Sequence, residues 1–388
     1  MPMESVMNFT FKMLMKEGIA MHQCISVYPC SITEQTIAQL NQYLQLAQQY
    51  GIHEVFTSIH LPEYSMEHQL SFLELTAKAA HHLKMELTAD IGGPFIRKAL
   101  EDKETLDRLK NVHLDYLRLD YGYSQDQLRN LYHHLHLKGF VINASMVNET
   151  QLQQHMNFFK SLDENIFIRA CHNFYVREES GLDKEFALAQ TKLFKKYNVP
   201  VYFCVPSYTH PRGPLHLGLP TLEHHRFQEI DYILMDVMTT YQAQGILYSD
   251  EWMSENLFKI IHQTIEKRAI QIPVVLNKNL TEIEKRIILK KHIFRYDSNT
   301  SFLRSRSSRE MAEFAYKINP KNCAVRKAGF ITIDNEHYLR YSGELQVVLK
   351  DAKEDHRVNV AAKLKRQSDL MKFSFFREGF IYEFIETD

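Results

Sequence analysis

Charged and amide side chains gather wherever the short apolar runs of this chain give out, and their types suit acid–base chemistry on a polar substrate. In YLRLDYG (116–122), Arg118 and Asp120 stand two positions apart, so on a strand both project from one face. A charge on a buried strand costs roughly several kcal/mol unless it is paired. The two are therefore expected to pair, either as a structural ion pair or as a catalytic carboxylate held by its guanidinium. CHNFYVREESGL (171–182) sets His172, Asn173, Tyr175, Arg177 and Glu179 behind another apolar run, where a merely solvated loop has no need of them. Other runs end in Asn143 and Ser145, in Asp90, in His60 with Glu63 beyond it, and in Asp250 with Glu251.

The elements that must carry these groups read as repeats of an apolar run, a turn and a longer helical pattern. The runs are HQCISVY (22–28), HEVFTSIH (53–60), KMELTADIG (84–92), YLRLDYG (116–122), GFVINAS (139–145), NIFIRACHN (165–173), PVYFCVPS (200–207) and GILYSDEW (245–252). The first helix places Ile37, Leu40, Leu44 and Ala47 at helical spacing behind an expected capping box of Ser31 and Glu34. Ser124 with Gln127 opens another helix in the same way, and Asn148 and Ser254 are expected N-caps. Strands alternating with helices predict a parallel sheet, and units repeated in this order predict a closed (β/α)8 TIM barrel rather than an open doubly wound sheet. No G-x-G-x-x-G or P-loop pattern follows any run, which removes the usual dinucleotide and nucleotide fingerprints.

In such barrels the chemistry sits at the C-terminal strand ends, with phosphate often held after strands seven and eight. The loop SYTHPRGPLHLGLPTLEHHR (207–226) is long for a connection of this kind. Its Arg212-Gly213 joins a guanidinium to a residue that permits close backbone approach, so Arg212 and His210 are the expected phosphate ligands.

Beyond about residue 268 the pattern changes. IPVVLNK (272–278), GFITIDNEHYLRY (329–341), ELQVVLK (344–350), VNVAAKL (358–364) and FSFFREGFIYEFIE (373–386) read as strands. Hairpin turns are expected at Asp334-Asn335 and Glu378-Gly379, a helix within 280–292, and a basic loop at LRSRSSR (303–309). The expected division is an N-terminal extension 1–20, a barrel 21–268 and a small antiparallel β barrel or sandwich 269–388.

Lys+Arg 46 against Asp+Glu 47 leaves no global field to favour nucleic acid or an anionic membrane, so any anion site is local. Five scattered cysteines without a C-x-x-C pair argue against a disulfide framework or a zinc ribbon and fit a reducing, cytoplasmic setting. There is no run of about 18 apolar residues to span a membrane. Glu4, Lys12, Lys16 and Glu17 interrupt the first segment, which reads as a non-secretory extension. The histidines, His224-His225 among them, form no H-E-x-x-H or similar pattern, so surface positions and no metal are expected. Trp252 is either a sugar-stacking platform or core at the rim.

Taken together, FTSIHLPE (56–63), LRLDYGYS (117–124), INAS (142–145), ACHNFYVREESGL (170–182), RGPLHLGLPTLEHHR (212–226), GFITIDNEHYLRYSGELQ (329–346) and HRVNV (356–360) resemble the MupG-type 6-phospho-N-acetylmuramidases. The resemblance implies a TIM barrel followed by a cyclophilin-like β domain. It also implies a cytoplasmic enzyme of peptidoglycan recycling that hydrolyses N-acetylmuramic acid 6-phosphate–N-acetylglucosamine, with no metal or organic cofactor. The chain departs from the family's pattern where Val176 and Glu178 stand in place of prolines, and where Ser249 stands in place of glycine before Asp250.

On this reading Asp120 and Glu179 are the expected carboxylate pair of a glycosidase, with Asp250 as the substitute. Arg212, His210 and Arg177 would hold the 6-phosphate, and Arg304 would reach it from the second domain. Glu63, Arg118, Asn143, His172 and Asn173 would bind the sugar. An acetamido sugar also allows attack by its own carbonyl. Two other readings stay open. One is a barrel enzyme on another sugar phosphate, though no strand end offers the Schiff-base lysine of an aldolase. The other is a phosphosugar-binding protein without catalysis. A homo-oligomer also stays open.

Overall fold

The computed structural model describes residues 21–120, 122–311 and 318–387, so the extension 1–20 lies outside the described residues. The chain divides into two compact units, one ending at His262 and the other beginning at Gln263.

In the first unit eight parallel strands close on themselves in sequence order. They are β1 (His22–Ser26), β2 (Glu54–Ser58), β3 (Glu86–Asp90), β4 (Tyr116–Leu119), β5 (Gly139–Asn143), β6 (Phe167–Cys171), β7 (Val201–Val205) and β8 (Gly245–Tyr248). Closure comes from β8 lying beside β1, with Cys24 opposite Leu247 and Ile25 opposite Tyr248. Each strand is shorter than the apolar run that announces it, because the last residues of the run leave the ladder and enter the mouth. Inside, Cys24, Phe56, Val141, Cys171, Cys204 and Leu247 pack with Tyr28, Tyr116 and Tyr202 into one cluster. Deeper in the barrel Glu54 and Arg169 form a buried ion pair, with Arg169 Nη1 2.7 Å from Glu54 Oε2. The guanidinium also lies 4.3 Å and 4.9 Å from the ring centres of Tyr116 and Tyr202.

Around the strands run α1 (Glu34–Gln49), α2 (Met66–His82), α3 (Gly93–Glu101), α4 (Lys103–Val112), α5 (Gln125–Leu135), α6 (Glu149–Leu162), α7 (Lys184–Lys196), α8 (Ile230–Thr239) and α9 (Glu255–Ile265). Ser124 and Gln127 form their capping box, and Asn148 forms one with Gln151. Ser254 Oγ accepts the N–H of Leu257 at 3.3 Å. The first helix differs from expectation. Thr33 is its N-cap and Thr36 completes the box, because Ser31 is tied into the turn before the helix by the Thr36 hydroxyl, which donates to its carbonyl at 2.8 Å. Among the described residues no helix is long and apolar enough to cross a membrane.

The second unit holds β9 (Ala269–Leu276), α10 (Glu282–Leu289), β10 (Lys291–Ile293), β11 (Phe302–Arg304), β12 (Phe330–Asp334), β13 (Leu345–Val348), β14 (Val358–Leu364) and β15 (Ile381–Glu386). The sheet order is β10-β15-β9-β14-β12-β13-β11. It is not wholly antiparallel as expected, since β15 runs parallel to β9. The two edge strands meet beyond their ends through a bridge between Phe294 and Ser305, so the sheet curls upon itself. Ile270, Ile272, Ile331, Ile333, Val347 and Phe384 are buried in it.

Neither expected hairpin turn joins two strands directly. Asn335 instead caps a 3-10 stretch, Glu336–Tyr341, by accepting the N–H of His337. Glu378-Gly379 follows no strand, because Gln367–Phe375 is wound as another 3-10 stretch, with Phe376 stacked on Phe380 at 4.9 Å. LRSRSSR is likewise no simple loop. It begins within β11, and Ser305, Ser307 and Ser308 are buried.

Candidate active site

The strand ends bring one connected polar network to the barrel mouth. Asp90 closes β3 and sits opposite Arg118 of β4 in the ladder. Arg118 is buried, with Nη1 3.2 Å from Asp90 Oδ2 and 3.8 Å from Asp120 Oδ1. Its Nη2 donates to Asn173 Oδ1 at 2.5 Å. The expected Arg118–Asp120 pair is thus the looser of two, because Asp90 on the neighbouring strand is nearer. Asp120 stays partly exposed, with Oδ1 accepting from Asn143 Nδ2 at 2.9 Å. The same Nδ2 lies 2.9 Å from Asn173 Oδ1, so Asn143 and Arg118 together fix the Asn173 amide. His60 joins from the loop after β2, its Nδ1 3.4 Å from Ser58 Oγ and 3.8 Å from Asp90 Oδ2.

His172 was expected to touch substrate, and the structure corrects this. It is fully buried, its ring lies 4.7 Å from that of Phe203, and its Nδ1 is 3.2 Å from Ser145 Oγ. Burial pushes the imidazole down to about 3, so it is neutral. Ser145 Oγ in turn accepts the backbone N–H of Asn173 at 2.9 Å. His172 therefore supports the network from beneath.

A second acidic pair follows β8. Asp250 is fully buried, and its Oδ2 accepts the N–H groups of Ser207 and Tyr208 at 3.0 and 3.3 Å while Oδ1 accepts that of Arg212 at 3.3 Å. Burial raises its carboxyl above the usual range, against the pull of those donors. With both oxygens bound to backbone, Asp250, the substitute carboxylate expected from sequence, ties down the loop after β7. Glu251, beside it, is half-buried and accepts the backbone N–H of Tyr28 at 2.7 Å. Burial pushes its carboxyl up to about 7, which lets it hold a proton near neutral pH. The Arg212 guanidinium lies 4.1 Å from the centre of the Tyr28 ring and draws the Glu251 carboxyl back down in part. His210 is exposed, bridges to Glu251 through its backbone, and has Nδ1 3.1 Å from the Trp252 carbonyl. Trp252 packs against the buried Tyr43 at 5.2 Å, which favours the rim-core reading.

The loop after β6 is held by a pair that sequence reasoning missed. Glu223 accepts the backbone N–H groups of Glu179 and Gly181 at 2.9 and 2.8 Å. Arg226 bonds Glu223 through Nε and Nη2, and its Nη2 also donates to the carbonyls of Tyr175 and Arg177 at 3.0 Å each. Glu179 has φ of 61° and, like Arg177, an exposed side chain, so it stands on the rim outside the Asp120 network. Glu63 is exposed in the turn after β2. Arg304, in the second unit, is bound through two nitrogens to the buried Glu344, with Nη2 2.8 Å from Oε2, so its charge is already matched.

His224 and His225 are also not both at the surface. His225 is fully buried, and both imidazoles meet Asp236 Oδ2, at 2.8 and 2.9 Å. These three residues could offer a metal ion one ligand atom each, as could His22, Glu54 and Glu86. In both groups the carboxylates already serve hydrogen bonds or ion pairs.

Two family models described as 6-phospho-N-acetylmuramidase match the chain, the N-terminal one over residues 24–263 and the C-terminal one over 270–379. No curated protein sequence matches it. Among solved structures, a conserved Enterococcus faecalis protein of unknown function is similar, with 26% identity and a TM-score of 0.76 over 94% of this chain and 96% of its own. An uncharacterized B. cereus protein shares the fold at 22% identity and a TM-score of 0.72, over 95% of this chain and 100% of its own.

Proposed function

We infer the function from one premise: this chain belongs to the 6-phospho-N-acetylmuramidase family. The reading is a glycosidase that hydrolyses N-acetylmuramic acid 6-phosphate–N-acetylglucosamine in the cytoplasmic recycling of peptidoglycan. The curled sheet of the second unit is read as the cyclophilin-like domain.

The observation that carries the chemistry is the contrast between two carboxyl groups at the mouth. Glu251 is raised to about 7 by burial, while Asp120 sits between an amide donor and a guanidinium. Two carboxyls with different surroundings supply the acid and the charged partner that glycoside cleavage needs. Glu251 gives its proton to the glycosidic oxygen as the bond to the anomeric carbon breaks. Asp120 faces the positive charge that develops there, directly or while the substrate's acetamido carbonyl attacks. Water then adds to the anomeric carbon, and its proton returns to Glu251. Arg212 and His210 supply the cation and donor for the 6-phosphate, with Arg177 at the rim.

The test is hydrolysis of 4-nitrophenyl N-acetylmuramic acid 6-phosphate glycoside beside its unphosphorylated analogue. Release from the phosphorylated compound alone is expected. Release from both removes the phosphate role given to Arg212, and release from neither by folded protein overturns the reading in favour of another sugar phosphate or a binding protein.

A further inference from the structure

The mechanism above leaves one cavity of the barrel unit unused. It measures about 370 Å³ and opens between the loops that follow β2 and β3. Ile59, Leu61, Met66 and Phe95 give it apolar walls, His60 forms one side, and Lys98 of α3 lines it. The cavity is preformed, because buried Gln69 pins the β2 loop. Its Nε2 donates to the carbonyls of Leu61 and Tyr64 at 2.9 and 2.8 Å, and its Oε1 accepts the Leu61 N–H at 2.8 Å. On the other wall Gly92 packs so closely that a Cβ there would lie 3.1 Å from His60 Cβ. Since the His60 ring also faces Asp90, the cavity adjoins the network that holds Arg118 and Asp120.

Lys98 is exposed, and among the described residues no carboxylate lies within 4.0 Å of its ammonium. Glu67 and Asp102 feel its charge from beyond that distance, and neither ties the ammonium down. A mostly apolar cavity lined by one ammonium with no ion-pair contact suits a small group that is part hydrocarbon and carries one negative charge. A phosphate dianion asks for several donors, and a neutral acetamide has no use for the ammonium. Of the substituents on a phosphorylated muramic acid, only the lactyl ether at O3 has a methyl group and a carboxylate together.

We propose that this cavity is the lactyl subsite, with the methyl group against the Leu61, Met66 and Phe95 wall and the carboxylate on Lys98. The assignment rests on the muramidase reading and adds to it the feature that separates muramic acid from glucosamine.

The experiment is calorimetric binding of N-acetylmuramic acid 6-phosphate and N-acetylglucosamine 6-phosphate, which differ only in the lactyl arm, to the full chain. Lys98→Met should weaken binding of the muramic sugar about tenfold and leave the glucosamine sugar unchanged, the scale of one charge-assisted contact at a wet site. Lys98→Arg should restore most of the loss. Met66→Trp, which fills the cavity, should also act on the muramic sugar alone. Equal effects on both sugars, or no effect of either Lys98→Met or Met66→Trp, overturn the subsite while leaving the muramidase reading standing. Failure of both sugars to bind the unaltered, folded protein overturns that reading and the subsite with it.

Discussion

Glu251 accepts the backbone N–H of Tyr28 at 2.7 Å, a hydrogen bond between residues 223 positions apart, made where the last barrel strand meets the first. The bond favours the ionised carboxylate, yet burial outweighs it and holds the group at about 7. The acid at the centre of the proposed chemistry is therefore a product of barrel closure, and it leads to the first prediction.

Below pH 7 Glu251 is protonated, and above it the proton is lost, so turnover of the disaccharide should fall as pH rises through about 7. Glu251→Gln should lower kcat on the disaccharide by about 10²–10⁴-fold and abolish that limb of the profile. The 4-nitrophenyl glycoside should keep most of its kcat/KM, since nitrophenolate leaves without a proton, although its kcat falls with the loss of the base that takes the water's proton. Equal losses of kcat/KM on both substrates would assign Glu251 a different role.

Asp120→Asn keeps the shape and the partner amide but removes the charge. Both substrates should then lose at least about a hundredfold in kcat, because bond cleavage in each builds positive charge on the sugar. As Asp120 is partly exposed, Tm should move by no more than a few degrees. Near-normal turnover would take Asp120 out of the mechanism.

Glu223→Ala removes the acceptor for the Glu179 and Gly181 N–H groups and the partner of Arg226. The loop after β6 should loosen, and a glutamate-specific protease should cut after Glu178 or Glu179 faster than in the unaltered chain. Unchanged cutting rates would mean that other contacts hold the loop.

Glu54→Gln leaves Arg169 charged and buried without a counterion. Urea unfolding should report a loss of about 3–5 kcal/mol, the usual cost of breaking a buried pair from one side. Because the pair lies deep in the barrel, KM should stay as it is.

In the second unit, burial and then the charge of Glu344 raise the Asp334 carboxyl to about 8. The unfolded chain ionises near pH 4, about the ordinary aspartate value, while the folded chain keeps its proton up to about 8. The stability tied to this group is thus complete below pH 4 and is lost as pH rises through 8. Asp334→Asn should flatten the fall in Tm across that window, and an unchanged slope would show that Asp334 does not titrate there.

The barrel was legible in the sequence because every strand is buried on both faces, which makes it a near-continuous apolar run. The short strands of the second unit were not. β10 is Lys291-His292-Ile293 and β11 is Phe302-Leu303-Arg304, too short and too polar to stand out, and both are held by partners distant in sequence. Phe373–Phe376 misled in the other direction, being apolar enough for a strand but wound into a turn whose rings stack on each other. At the mouth, Arg118, Asp120, Asn143 and Asn173 could be found from their positions at strand ends. The different surroundings of Asp250 and Glu251 could not, since they depend on which backbone N–H groups of the loops after β7 and β1 each carboxyl meets. The signal for Glu223 and Arg226 was present in TLEHHR, where acid and base stand three apart, but their target was the preceding loop, and spacing alone does not reveal that.

The parallel pairing of β15 with β9 also bears on how the chain is made. During synthesis the first unit has all eight strands once β8 has left the ribosome, and it can close at that point. β9 and β10 emerge soon afterwards, but the strand that belongs between them follows about a hundred residues later. Until it arrives, both expose bare N–H and C=O edges to any neighbouring chain. A nascent chain stalled before Ile381 therefore carries two open strand edges that the finished chain covers with β15.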